Sequence, residues 1–131
     1  MIKRTVCIVL ALLMTVVLAA CGKYVSSYKA VGFVHSDGPA DPFMNFYTFD
    51  GRMILRLSSK GEGDIKYEAK LESGNATVYY DAHGTKTELF KISGGQELDS
   101  HGGYIESGLV YIIVETDGKC TNGSFKFSTS R

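Results

Sequence analysis

From Asp64 to Glu72 the chain reads Asp-Ile-Lys-Tyr-Glu-Ala-Lys-Leu-Glu, apolar and charged residues alternating without a slip. An extended strand puts Ile65, Tyr67, Ala69 and Leu71 on one face and the five charged residues on the other, because successive side chains point to opposite sides. A helix would scatter both sets around its axis. The pattern therefore requires a half-buried antiparallel strand. Short apolar and aromatic runs recur between Gly, Asn and Asp along the rest of the chain. Tryptophan is absent, and proline is confined to Pro39 and Pro42. Beyond residue 20 no stretch holds a period of 3.6, so the expectation is an all-β chain.

Two turn signals suggest hairpins. Ser73-Gly74 would pair Leu71 with Ala76, Ala69 with Val78 and Tyr67 with Tyr80, and opposed residues of an antiparallel pair share a face. Asp50-Gly51, a type I′ signal, would fold Phe43 to Ser58 into a second hairpin. Its register groups Met44, Phe46, Met53, Leu55 and Leu57 as the core face, and Phe43, Tyr47, Phe49, Arg52, Ile54 and Arg56 as the other. Further strands are expected at 29–35, 86–92, 96–104, 109–116 and 124–129. The run Leu109-Val-Tyr-Ile-Ile-Val-Glu115 is apolar on both parities and reads as a central strand buried on both faces. No linker or repeat divides residues 29–131. These features predict a single antiparallel β-sandwich of about eight strands with jelly-roll-like crossings.

The start of the chain has a different character. Lys3 and Arg4 precede an apolar run from Val6 to Ala20 interrupted by Thr15. As a helix this run would be roughly 22 Å long, short of a bilayer core of about 30 Å. It ends in small residues with no positive cluster behind them, as a cleaved leader does. Leu18-Ala19-Ala20-Cys21 resembles the lipobox of bacterial lipoprotein precursors. That resemblance implies a cleaved helical signal peptide over 1–20, fatty acylation of Cys21, and a short tether over 21–28. It also implies a lipid-anchored protein on the exported side of a cell membrane. Two acyl chains on one cysteine give stable anchoring where one chain gives marginal binding.

Loss of 1–20 would leave 111 of the 131 residues, enough for one core. Lys3 and Arg4 leave with the leader, taking the 14 Lys and Arg to 12 against 14 acids. With no basic run, this balance argues against a nucleic-acid partner. Cys7 leaves with the leader and Cys21 is committed to lipid, so Cys120 stands alone and a disulfide framework is excluded. Turn residues surround Cys120, and it reads as a structural thiol rather than a nucleophile, which would need a base or helix N-terminus beside it.

A second resemblance covers residues 73–128. "SGNATVYYD" followed by "GGYIESGLVYIIVETDGKCTNGSFKFS" is similar to the end of small bacterial β-sandwich modules such as the pre-peptidase C-terminal domains. It rests on glycine and apolar spacing, carries no catalytic residue, and implies an accessory or binding module.

Motifs for catalysis are sparse. His35, His83 and His101 form no zinc-hydrolase pattern. His35, Asp37 and Asp41 share a loop that lacks the ordered acid spacing of an EF-hand, so it reads as a solvated turn. Asp99 and His101 lie close in sequence, but no nucleophile elbow accompanies them. No metal or cofactor is expected. The acids alternate outward with lysines, as on a solvated face. The remaining candidate is a binding surface of Tyr47, Phe49, Arg52, Ile54 and Arg56, where flat rings beside planar guanidinium groups suit a protein or glycan. The leading expectation is a non-enzymatic binding or accessory module on a membrane-anchored lipoprotein. The alternatives are a small hydrolase using His35 or His101, and a structural envelope protein.

Overall fold

The computed structural model describes residues 24–129. The expected leader and Cys21 lie outside the described residues. Nine strands follow one another: β1 (Ser27–Val31), β2 (Val34–Ser36), β3 (Phe43–Ser59), β4 (Gly63–Ser73), β5 (Asn75–Asp81), β6 (Thr87–Ser93), β7 (Gln96–Ile105), β8 (Gly108–Thr116) and β9 (Cys120–Thr129). Every pairing is antiparallel, in the order β6-β5-β8-β3-β9-β4-β7, with β1 and β2 also on β3. Strand β3 is common to two layers. Its second half continues β6-β5-β8, and its first half continues β9-β4-β7. The terminal strands β6 and β7 also touch, so the sandwich nearly closes into a barrel.

The Asp50-Gly51 hairpin does not form. β3 runs through both residues as one strand of 17 residues. Ser36 pairs with Phe43, yet the next residue, Asp37, accepts a hydrogen bond from Arg56 N at 2.8 Å. Residues 43 and 56 would stand about 43 Å apart on a straight strand. The loop that touches both ends therefore requires β3 to bend sharply as it passes between the layers. Gly51 lies in the bend with φ of 136°, and a Cβ there would sit 2.2 Å from the Ser27 carbonyl oxygen. The glycine is needed because its antiparallel partner β1 runs close beside it, with Tyr28 opposite, and not because the chain reverses.

The parity switch expected from that hairpin nevertheless occurs. Met44 and Phe46 are buried, as are Met53, Leu55 and Leu57. The alternation slips between Phe46 and Phe49, opposite Asn122, which has a φ of 47°. The slip turns Phe49 inward, so its place on an outer surface is corrected. Phe49 has no exposed area and packs against Tyr28, Phe33 and Phe46 with ring centroids 5.2–5.4 Å apart.

Ser73-Gly74 also turns the chain without making a hairpin. β4 pairs with β7 and β9, whereas β5 pairs with β6 and β8, so the turn crosses from one layer to the other. Ile65, Tyr67, Ala69, Leu71, Ala76 and Val78 are buried all the same, because both strands turn their apolar faces to the space between the layers. β8 is central as expected. Val110, Ile112 and Val114 face the core, and Ile113 is fully buried on the other side.

Candidate functional site

The five proposed surface residues do not form one surface. Arg52, Ile54 and Arg56 pair with Glu115, Ile113 and Tyr111 of β8 and belong to the outer face of the β6-β5-β8-β3 layer. Arg52 Nε bonds Glu115 Oε1 at 3.0 Å, and Arg56 lies 3.9 Å from Asp37. Tyr47 precedes the slip in β3 and stands on the outer face of the opposite layer, 60% exposed. With Phe49 in the core, Tyr47 is the member left as an open aromatic.

The strands around Tyr47 build a different site. Opposed residues share a face, so Phe43, Lys126, Glu68 and Asp99 form a row across β3, β9, β4 and β7. Asn45, Ser124, Lys70 and Glu97 form the next row. Tyr47 and Asn122 stand at the end, where Asn122 Nδ2 donates to Glu72 Oε2. Three depressions lie along these rows. One of about 550 Å³ is bounded by Phe43, Lys66, Glu68 and Lys126, and one of about 270 Å³ by Glu68, Lys70, Glu97 and Ser124. The third, about 400 Å³, lies between Gly32, Asn45, Tyr47, Lys70 and Ser124. Each shares lining residues with its neighbour, so together they form one shallow trough across the sheet.

Local sequence accounts for its shape. Gly32, with φ of 61°, lies beside Tyr47, and a Cβ there would come within 3.1 Å of Tyr47 Cβ. The missing side chain leaves that flank of the ring open. Gly123 lets the Phe46 ring lie beneath the floor, since a Cβ would overlap that ring at 2.2 Å.

The floor is rich in polar groups that keep hydrogen-bonding capacity to spare. Ser124 Oγ donates to Asn45 Oδ1 at 2.7 Å, which leaves the amide hydrogens of Asn45 free to meet a ligand. Among the described residues, Lys66, Glu68, Lys70, Glu97, Asp99 and Lys126 form no ion pair within 4.0 Å. Ammonium and carboxylate groups spaced along a shallow floor match a ligand whose hydroxyls both donate and accept. The alternating charges of Asp64–Glu72 were the sequence signal for this surface, and read alone they describe a solvated face.

The catalytic alternatives find less. His101 Nδ1 bonds Asp64 Oδ2 at 2.8 Å, but the imidazole is 67% exposed and lines none of the three depressions of the trough. His35 is exposed and stacks on Phe33 at 4.7 Å. Glu68 and Asp99 are cross-strand neighbours, yet both rise from the same floor. Glycoside hydrolysis needs carboxyl groups flanking the scissile bond. No group of three or more His, Cys, Asp or Glu suited to a metal occurs among the described residues. Cys120 is fully buried and its Sγ donates to the Asn75 carbonyl at 3.4 Å. Burial pushes its thiol pKa up, Asp50 and Asp117 push it the same way, and the Asn75 backbone contact opposes them. It is a structural thiol.

No protein-family model matches the chain, and no curated protein does. Solved structures share parts of its architecture. A ruminal GH26 endo-beta-1,4-mannanase matches at 11% identity and a TM-score of 0.46, over 66% of this chain and 19% of that one. A family 29 carbohydrate-binding module matches at 15% identity and a TM-score of 0.41, over 79% of this chain and 77% of its own. A CBM4 structure matches at 13% identity and a TM-score of 0.44, over 83% of each chain. At these values the likenesses carry no argument about function.

Proposed function

We propose that the chain is a non-catalytic binding module whose trough, across the outer face of β3, β9, β4 and β7, holds a glycan. The observation that carries this reading is Tyr47, an open ring at the end of a polar floor. A ring face takes the apolar side of a sugar, while Asn45, Ser124 and the lysines and carboxylates beside it meet its hydroxyls. The expected membrane anchoring belongs to the same proposal and rests on the leader and on Leu18-Ala19-Ala20-Cys21. The module would then work at the cell envelope, held there by lipid on Cys21.

Affinity electrophoresis through galactomannan, xylan and a soluble β-glucan tests the binding. At least one polysaccharide should retard the native domain, and Tyr47→Ala should abolish the retardation while the fold remains intact. Retardation by none, or equal retardation of the variant, refutes the trough as the site. Anchoring is tested separately. Cys21→Ala should leave an unprocessed precursor that takes up no fatty-acid label, and retained label overturns the assignment.

A further inference from the structure

Tyr24, the first described residue, is already fixed to the domain. Its ring packs on Tyr111 with centroids 5.6 Å apart, and its hydroxyl donates to Asp81 Oδ2 at 2.6 Å. Tyr111 pairs with both Arg56 and Asp81, so Tyr24 lies on the outer face of the β6-β5-β8-β3 layer. Asp81 is 2% exposed there, and its Oδ1 accepts from Gly84 N at 2.5 Å. A carboxylate on the outside of a sheet is buried only if something covers it and bonds it. The N-terminal segment supplies the cover, and Ser26 Oγ holds it to the β3 edge by accepting from Ile54 N at 3.0 Å.

Cys21 precedes Tyr24 by three residues, which span at most about 11 Å. A lipid on Cys21 must therefore emerge beside this face. The core separates that face from the trough, and three residues are too few to lead around the sandwich. The charges differ in the same sense. On the Tyr24 side Arg52, Arg56, Lys86 and Lys91 are matched by Glu88, Glu115, the buried Asp81 and, at the edge, Asp37. On the trough side carboxylates outnumber the three lysines, Lys66, Lys70 and Lys126. Anionic lipid headgroups therefore repel the second face more than the first.

Resting on the lipoprotein reading above, we propose that the outer face of the β6-β5-β8-β3 layer lies against an anionic phospholipid surface. The trough of the opposite layer then points away from the bilayer, toward a glycan approaching from outside. The strap from Tyr24 to Ser26 sets this orientation, because it fixes the chain to this face three residues after Cys21.

The test uses the full lipidated protein in vesicles of phosphatidylethanolamine and phosphatidylglycerol carrying a headgroup quencher. A fluorophore is attached at Ser58→Cys on the Tyr24 side, or at Glu97→Cys on the trough side, with Cys120 shielded by burial. The Ser58 label should be quenched several-fold more than the Glu97 label. Tyr24→Ala should reduce the contrast while the domain still melts cooperatively. Equal or reversed quenching, in protein whose Cys21 acylation is verified by mass spectrometry, overturns the orientation and leaves the anchor standing. A contrast unchanged when phosphatidylcholine replaces phosphatidylglycerol overturns its electrostatic basis. Absence of acylation overturns the anchor and the orientation together.

Discussion

Tyr47 and Phe49 are two residues apart on one strand and would share a face if β3 alternated regularly. The slip after Phe46 separates them, and paired truncations test it. Phe49 has no exposed surface and makes ring contacts with Tyr28, Phe33 and Phe46. Phe49→Ala leaves a cavity at that junction and should cost about 3–5 kcal/mol, as buried Phe-to-Ala changes do. A small domain has only about 5–15 kcal/mol of stability, and each kcal/mol shifts Tm by about 4 °C or more. A drop of at least about 12 °C is therefore expected. Tyr47 is 60% exposed, so Tyr47→Ala should cost about 1 kcal/mol or less. Urea unfolding monitored by circular dichroism, with melting curves alongside, gives both values. Unchanged m-values would show that the denatured state is not responsible. Similar losses for the two variants would refute the slip. A large loss for Tyr47→Ala alone would bury the aromatic on which the binding proposal depends.

Val78 is fully buried and its neighbour Thr77 is not, so Val78→Asp should cost several kcal/mol in urea unfolding and Thr77→Asp little; equal losses contradict the observed alternation of β5. Gly51 and Gly118 both have positive φ, but only Gly51 has backbone within reach of an added Cβ. Gly51→Ala should therefore lower the urea midpoint further than Gly118→Ala, and matching shifts would remove β1 as the reason for the glycine. Burial first, then the bond to Asp81 and its charge, raise the Tyr24 pKa from 10.0 to about 12. Protonated Tyr24 is thus favoured by the folded state, and its contribution is complete below pH 10 and lost as pH rises toward about 12. Ultraviolet titration should show a late tyrosine that Tyr24→Phe removes; an unchanged curve disproves the assignment.

Strand identity was readable because it depends on neighbours in sequence, whereas pairing depends on which layer the chain enters next. The apolar set of Asp64–Leu71 and Ala76–Val78 faces the core whether its strands pair with one another or lie in opposite layers. Ser73-Gly74 marks a reversal in either case. Asp50-Gly51 misled for a related reason. A glycine at positive φ serves a type I′ turn, and it equally serves a bent strand against which a paired neighbour's backbone lies close. Nothing local to residues 50 and 51 distinguishes these uses, because the deciding atom is the Ser27 carbonyl oxygen, 24 residues away.

The site was legible only in pieces for the same reason. Tyr47 could be picked out by being aromatic on the face opposite Met44 and Phe46. Its floor could not, since Lys70 and Ser124 become neighbours through the β4–β9 pairing and Asn45 joins them through β3–β9. A charged face on one strand looks like solvation. The same face becomes a site when the strands beside it contribute an open ring, an amide and a hydroxyl, and when the charges are not used up in ion pairs with one another. Grouping Arg52 and Arg56 with Tyr47 assumed a hairpin that would have placed them side by side. The bend in β3 instead divides those residues between the two faces of the sandwich. On the proposed orientation that division is functional, with the arginines toward lipid headgroups and the tyrosine toward solvent.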